Sequence, residues 1–149
     1  MLHLSVLVQK AMPLVLLPPP KMGNIKTFKL VHTSGAVSYS VFISPGKWGT
    51  RSVMPSPGIE LHVTDDQKKR IAPPQNYPLM NNLLGGVMTY NIPGYNVDSP
   101  YIILPEISPP LVVTQGKVFQ IWFGEDFSNT AEFDNRGTTC VDVYVIYQD

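Results

Sequence analysis

From Val118 to Tyr147 the chain reads V-F-Q-I-W-F-G-E-D-F-S-N-T-A-E-F-D-N-R-G-T-T-C-V-D-V-Y-V-I-Y. Both ends of this stretch alternate. Phe119, Ile121 and Phe123 fall opposite Val118, Gln120 and Trp122, while Val141, Val143, Val145 and Tyr147 fall opposite Cys140, Asp142 and Tyr144. Successive side chains of an extended chain point to opposite faces, so each run predicts a strand with one face toward a core. Between them lies a polar stretch with a hairpin-type turn at Asp134-Asn135-Arg136-Gly137, where glycine supplies the positive φ such turns require.

The same period recurs upstream. Val37, Tyr39, Val41 and Ile43 share a side, as do Ile59, Leu61 and Val63, and again Met88, Tyr90 and Ile92. Leu4 to Val8, Ile25 to Val31, Tyr101 to Leu104 and Leu111 to Thr114 are weaker candidates. The 15 prolines gather at 18–20, 55 and 57, 73–74 and 109–110, between these runs, where they terminate elements rather than interrupt them. The best helical candidate is Thr64 to Ile71, with a threonine cap, early acids, late bases and Pro73 to stop it. Many short strands with Pro/Gly/Asn turns predict an all-β fold: a two-sheet antiparallel β-sandwich, jelly-roll or immunoglobulin-like, with little or no helix.

The chain has 149 residues, 44% of them hydrophobic and 15% charged, enough for one domain with its own core and not the composition of a disordered segment. Residues 1–20 are expected to form an apolar arm ending in the Pro18-Pro19-Pro20 spacer, with residues 21–149 the single sandwich domain. The apolar run from Met1 to Leu17 is interrupted by Gln9, Lys10 and Pro13, which makes it a poor signal peptide and too broken to span a bilayer. Eleven basic and eleven acidic residues cancel, so no global field draws the chain to nucleic acid. Cys140 is the single cysteine, which excludes an internal disulfide and a Cys-rich zinc site, and a buried strand position is expected for it.

Catalytic templates fail. The chain has no G-x-S-x-G elbow, P-loop or H-E-x-x-H, and His3, His32 and His62 lack metal-ligand spacing. No enzyme activity is expected. The acidic stretch is more informative: Glu125, Asp126, Glu132 and Asp134, with Asn129 and Asn135, bring hard oxygen ligands close together in sequence. Such ligands suit Ca²⁺, and Glu125, Asp126, Glu132, Asp134 and Asn135 are the candidate set. The competing account is that Asp and Asn are turn formers whose carboxylates are solvated or paired with Arg136. Trp48, Tyr77, Tyr90, Tyr95, Tyr101 and Trp122 lie in or beside Pro/Gly-rich loops, and of these Trp48, Tyr90, Tyr95 and Trp122 are the candidate ligand-binding aromatics: a flat ring beside amides and carboxylates suits a sugar. The same rings equally suit plugs at the ends of a sandwich.

Ile121 to Phe127 (I-W-F-G-E-D-F) and Glu132 to Tyr144 (E-x-D-N-x-G-T-x-C-V-D-V-Y), with Gln115-Gly116-Lys117 and P-G-Y-N-x-x-S-P at 93–100, resemble the ending of extracellular β-rich modules of marine invertebrates, cnidarians especially. The likeness covers roughly residues 84–147. It implies an extracellular location and an adhesive, matrix or surface-binding class, with a glycan or a matrix protein as partner. A second hypothesis is a self-assembling filament or shell, a homo-oligomer in which the apolar arm adds a strand to a neighbouring subunit. A third is a glycan-active enzyme using Glu125 and Glu132 as acid and base.

Overall fold

The computed structural model describes residues 2–7, 14–16, 21–51, 58–81, 88–129 and 133–149. Eleven strands, all paired antiparallel, and one short helix make up the described chain. One sheet contains β1 (Leu2–Leu7), β11 (Arg136–Tyr147) and β3 (Gly23–Ser38) in that order, with β8 (Tyr101–Ile103) and β9 (Leu111–Val113) sharing the far edge of β3. The other runs β2 (Leu14–Leu16), β10 (Phe119–Phe123), β4 (Leu61–Asp65), β5 (Arg70–Ala72). β6 (Met80–Asn81) and β7 (Met88–Thr89) form a separate two-stranded ribbon, and α1 (Gly124–Ser128) follows β10 directly.

The expected sandwich is therefore present, and period-two burial explains why its sheets face each other. Ile102, Leu30 and Val143 form one cross-strand row of the first sheet, all buried. Across the core, Phe119, Ile121 and Phe123 of β10 and Leu61 and Val63 of β4 are also buried. Phe28 meets Phe119 edge-on, ring centroids 5.4 Å apart, and this pair ties the two sheets together. Such a contact contributes about 0.5–1.5 kcal/mol beyond the burial of the two rings.

Four local outcomes differ from the sequence expectations. The Thr64–Ile71 helix is instead the β4–β5 hairpin. The Asp65 Oδ1 accepts the backbone amides of Gln67 and Lys69, and Lys68 takes a left-handed φ of 61°, which together close a turn rather than a helical one. Gly137 does adopt positive φ (+96°), but inside β11 and not in a hairpin turn. Cys140 is half-buried, not buried. Finally, the arm belongs to the sandwich: β1 pairs with β11 from Leu2↔Val143 to Leu7↔Thr138, and β2 pairs with β10. The strand expected to be donated to a neighbour is thus accommodated in the chain's own sheets, because β11 and β10 each offer it an edge. The Pro18–Pro20 spacer lies outside the described residues.

Candidate functional site

Two regions gather polar and aromatic side chains. The first is the outward face of the five-stranded sheet. Since Leu30 and Val143 point inward, their neighbours Lys29 and Tyr144 point outward, and these two are register partners on β3 and β11. Tyr101 stands on the adjoining strand, opposite Val31. The Lys29 Nζ lies 4.6 Å from the centre of the Tyr101 ring and 5.9 Å from that of Tyr144, so one ammonium holds both rings. Tyr101 and Tyr144 keep 40% and 37% of their surface exposed.

Tyr95 extends this face. Its ring sits edge-on to Tyr101 at 5.7 Å, and partial desolvation, then the neighbouring Tyr101 phenol, raise its pKa above the ordinary tyrosine value. The turn that presents it is the P-G-Y-N-x-x-S-P motif, and each polar residue there has a structural task. Gly94 takes a φ of +85°, the Asn96 Oδ1 accepts the Asp98 amide, and the Ser99 Oγ accepts the Asn96 amide. Trp48 then anchors the turn from inside, its indole N–H donating to the Ser99 carbonyl at 2.7 Å and its amide to the Val97 carbonyl. Arg51 grips Asp98 through two hydrogen bonds of 2.8 and 2.6 Å, and these bonds hold the Asp98 carboxyl below its ordinary range. The result is a row of tyrosines on a fixed backbone.

The second region is the acidic end after β10. Glu125 and Asp126 lie on α1 and are buried. The Asn135 Nδ2 donates to the Asp126 Oδ1 at 2.9 Å; Asn135 is buried as well, and its Oδ1 has no hydrogen-bond partner among the described residues. Asp134 is half-buried, and Glu132 lies outside the described residues. Two buried groups join this end without having been expected. Glu60, between Ile59 and Leu61, turns its carboxylate inward, and desolvation first, opposed by hydrogen bonds from Thr50 and assisted by the charge of Glu125, pushes its pKa up to about 8. His62 donates from Nε2 to the Met88 carbonyl at 2.6 Å, stacks on Phe127, and is pushed down to about 4, chiefly by burial. Among the described residues no three His, Cys, Asp or Glu side chains converge to hold a metal ion.

Of the four candidate aromatics, Tyr95 alone belongs to the outward face. Trp48 and Tyr90 have no exposed surface, and Trp122 has almost none. Tyr90 instead donates its hydroxyl to the Leu61 carbonyl, and the Trp122 indole donates to Thr64 and Gln120. These three rings plug the sandwich. Tyr101 was among the loop aromatics named from the sequence, whereas Tyr144 and Lys29 were not singled out by sequence reasoning. Their signal was the outward half of two alternating runs, which single-sequence periodicity treats as ordinary surface.

No family model matches the chain, and no curated protein matches it. Among solved structures it superposes on AJLec from the sea anemone Anthopleura japonica with a TM-score of 0.84, at 24% sequence identity, over 99% of this chain and 94% of that one. The likeness is one of fold. It bears out the resemblance to cnidarian β-rich modules carried by the C-terminal motifs, and it extends over the N-terminal half those motifs left unmatched.

Proposed function

We propose that this chain is a non-catalytic carbohydrate-binding module acting at an extracellular or matrix surface. The observation that carries the proposal is the solvent-facing row of Tyr95, Tyr101 and Tyr144 around Lys29. Tyrosine rings supply flat apolar faces for the C–H faces of a sugar, and their hydroxyls and the lysine supply hydrogen-bond partners at the rim. The turn behind Tyr95 is held in place before any ligand arrives, which lowers the ordering cost of binding. The fold it shares with AJLec, a protein whose name marks it as a lectin, supports the same choice of ligand class. The test is a glycan array followed by calorimetry on the best ligand. Tyr101→Ala and Tyr95→Ala should each weaken binding about tenfold, or 1.4 kcal/mol. Tyr101→Ala should leave the melting temperature unchanged, while Tyr95→Ala should lower it, because the Tyr95 ring also packs on the core. Unchanged affinity in both variants would remove this face as the site.

A second reading rests on the acidic end. Asn135 and Asp126 are joined in a buried position, with Glu125 buried on the same helix as Asp126, and these oxygen-bearing side chains favour a calcium ion at this end. Melting in calcium and in chelator tests it: a calcium-dependent rise that Asp126→Ala abolishes supports a resident ion, and identical curves remove it.

A further inference from the structure

The open flank of the sandwich, where the two sheets part, holds a cleft of about 330 Å³ that shares no residue with the tyrosine face or the acidic end. Its floor is apolar: Ile71 of β5, Ile107 of the β8–β9 connection and Leu111 of β9 all pack on the core from the side that faces the cleft. Its rim is basic, with Lys69, Arg70 and Lys117. The one acid in the lining, Asp65, directs its Oδ1 to the amides of its own turn. Among the described residues none of the three cations is in a salt bridge. Arg70 is fixed in place by two hydrogen bonds from Nη2, to the carbonyls of Pro74 and Gln75 at 3.1 and 2.8 Å, while its buried Nε has no hydrogen-bond partner among the described residues.

We infer that this flank cleft binds a small amphiphilic anion, its charged head among Lys69, Arg70 and Lys117 and its hydrocarbon body on Ile71, Ile107 and Leu111. The floor argues against a free inorganic ion or an acidic sugar, whose hydroxyls would find no partners there. The rim argues against a neutral lipid. The volume falls within the range of small-molecule sites and holds roughly ten groups of the size of a water molecule in the liquid, which matches a medium-length chain.

The head could be a carboxylate or a sulfate ester, and two probes separate them. Octanoate and octyl sulfate are titrated into the full chain below their micellar concentrations, with methyl chemical shifts followed at Ile71, Ile107 and Leu111. Saturable binding of either, with shifts at those methyls, supports the site; which one binds identifies the head. Lys69→Glu with Lys117→Glu, both rim positions, should weaken it about tenfold or more while leaving the melting temperature unchanged. Acetate, inorganic sulfate and 1-octanol should bind far more weakly. The inference is overturned if neither amphiphile saturates, if the double variant binds as tightly as the parent, or if inorganic sulfate binds as well as octyl sulfate.

Discussion

Thr50 and Glu60 meet inside the protein, the amide and the hydroxyl of Thr50 both donating to the Glu60 Oε2 at 3.2 Å. These two bonds favour the charged carboxylate, yet burial outweighs them, and the group stays protonated to about pH 8 against 4.5 for a free glutamate. Between those values the folded chain carries a proton the unfolded chain lacks, so stability falls as pH rises from 4.5 to 8. Glu60→Gln removes that slope. Thermal melts at pH 5 and pH 8.5 should show the variant gaining at the higher pH, by a few kcal/mol at about 1.4 kcal/mol per pKa unit; equal slopes in both proteins would contradict it.

His62 acts with the opposite sign. Its folded pKa of about 4 lies below the free value of 6.5, so the unfolded chain takes up a proton first as pH drops, and stability is lost from 6.5 down to 4. His62→Gln keeps a donor for the Met88 carbonyl and removes the titration. Urea unfolding at pH 4.5 and 7 should show a smaller acid loss in the variant than in the parent. Between 4.5 and 6.5 the Glu60 and His62 effects oppose each other, which leaves the Glu60 decline exposed from 6.5 to 8.

Gly35 and Gly137 lie where β3 and β11 are crowded against each other. A Cβ on Gly35 would stand 1.9 Å from the Thr138 carbonyl oxygen, and one on Gly137 would stand 2.1 Å from that of Ala36, both at positive φ. Strand backbone cannot yield by that much without losing its pairing. Alanine at either position should cost about 3 kcal/mol or more, read as a shift in the denaturant midpoint. A neutral result at both would mean the two strands pair less closely than described.

Trp48 links stability to recognition. Trp48→Phe keeps an aromatic ring in the core and leaves the carbonyl of half-buried Ser99 without its donor, a loss of about 1 kcal/mol. Because that bond secures the turn presenting Tyr95, the variant should also bind its best glycan more weakly. Retained affinity with lowered stability would show that Tyr95 is positioned without it.

Strands whose apolar residues alternate were readable in the sequence, as in β10, β4 and most of β11, although β4 and β10 bury residues of both faces. The long β3 was not, since its His32-Thr33-Ser34-Gly35 segment is exposed or half-buried and carries no apolar period, so the alternation breaks into two pieces there. Loop aromatics misled for a related reason. Whether a tyrosine faces out, as Tyr101 does, or plugs the core, as Tyr90 does, depends on which loop lies over it, and local sequence does not record that. Glu60 lies between two core residues and by period should face solvent; Gly49 and Thr50, eleven and ten residues away, close over it instead. The segment carrying Glu125 and Asp126 was not legible as helix, because five residues carry too little pattern.

The register of the arm has a consequence for how the protein comes to exist. Residues 2–7 are synthesised long before their partners, residues 138–143, and residues 14–16 wait for 119–121. The first sheet cannot be completed until residue 143 has been synthesised, nor the second until residue 121, which places this chain among topologies dominated by distant pairings. A nascent chain stalled or cleaved before residue 119 would carry two unpaired apolar segments and would depend on chaperones to stay soluble.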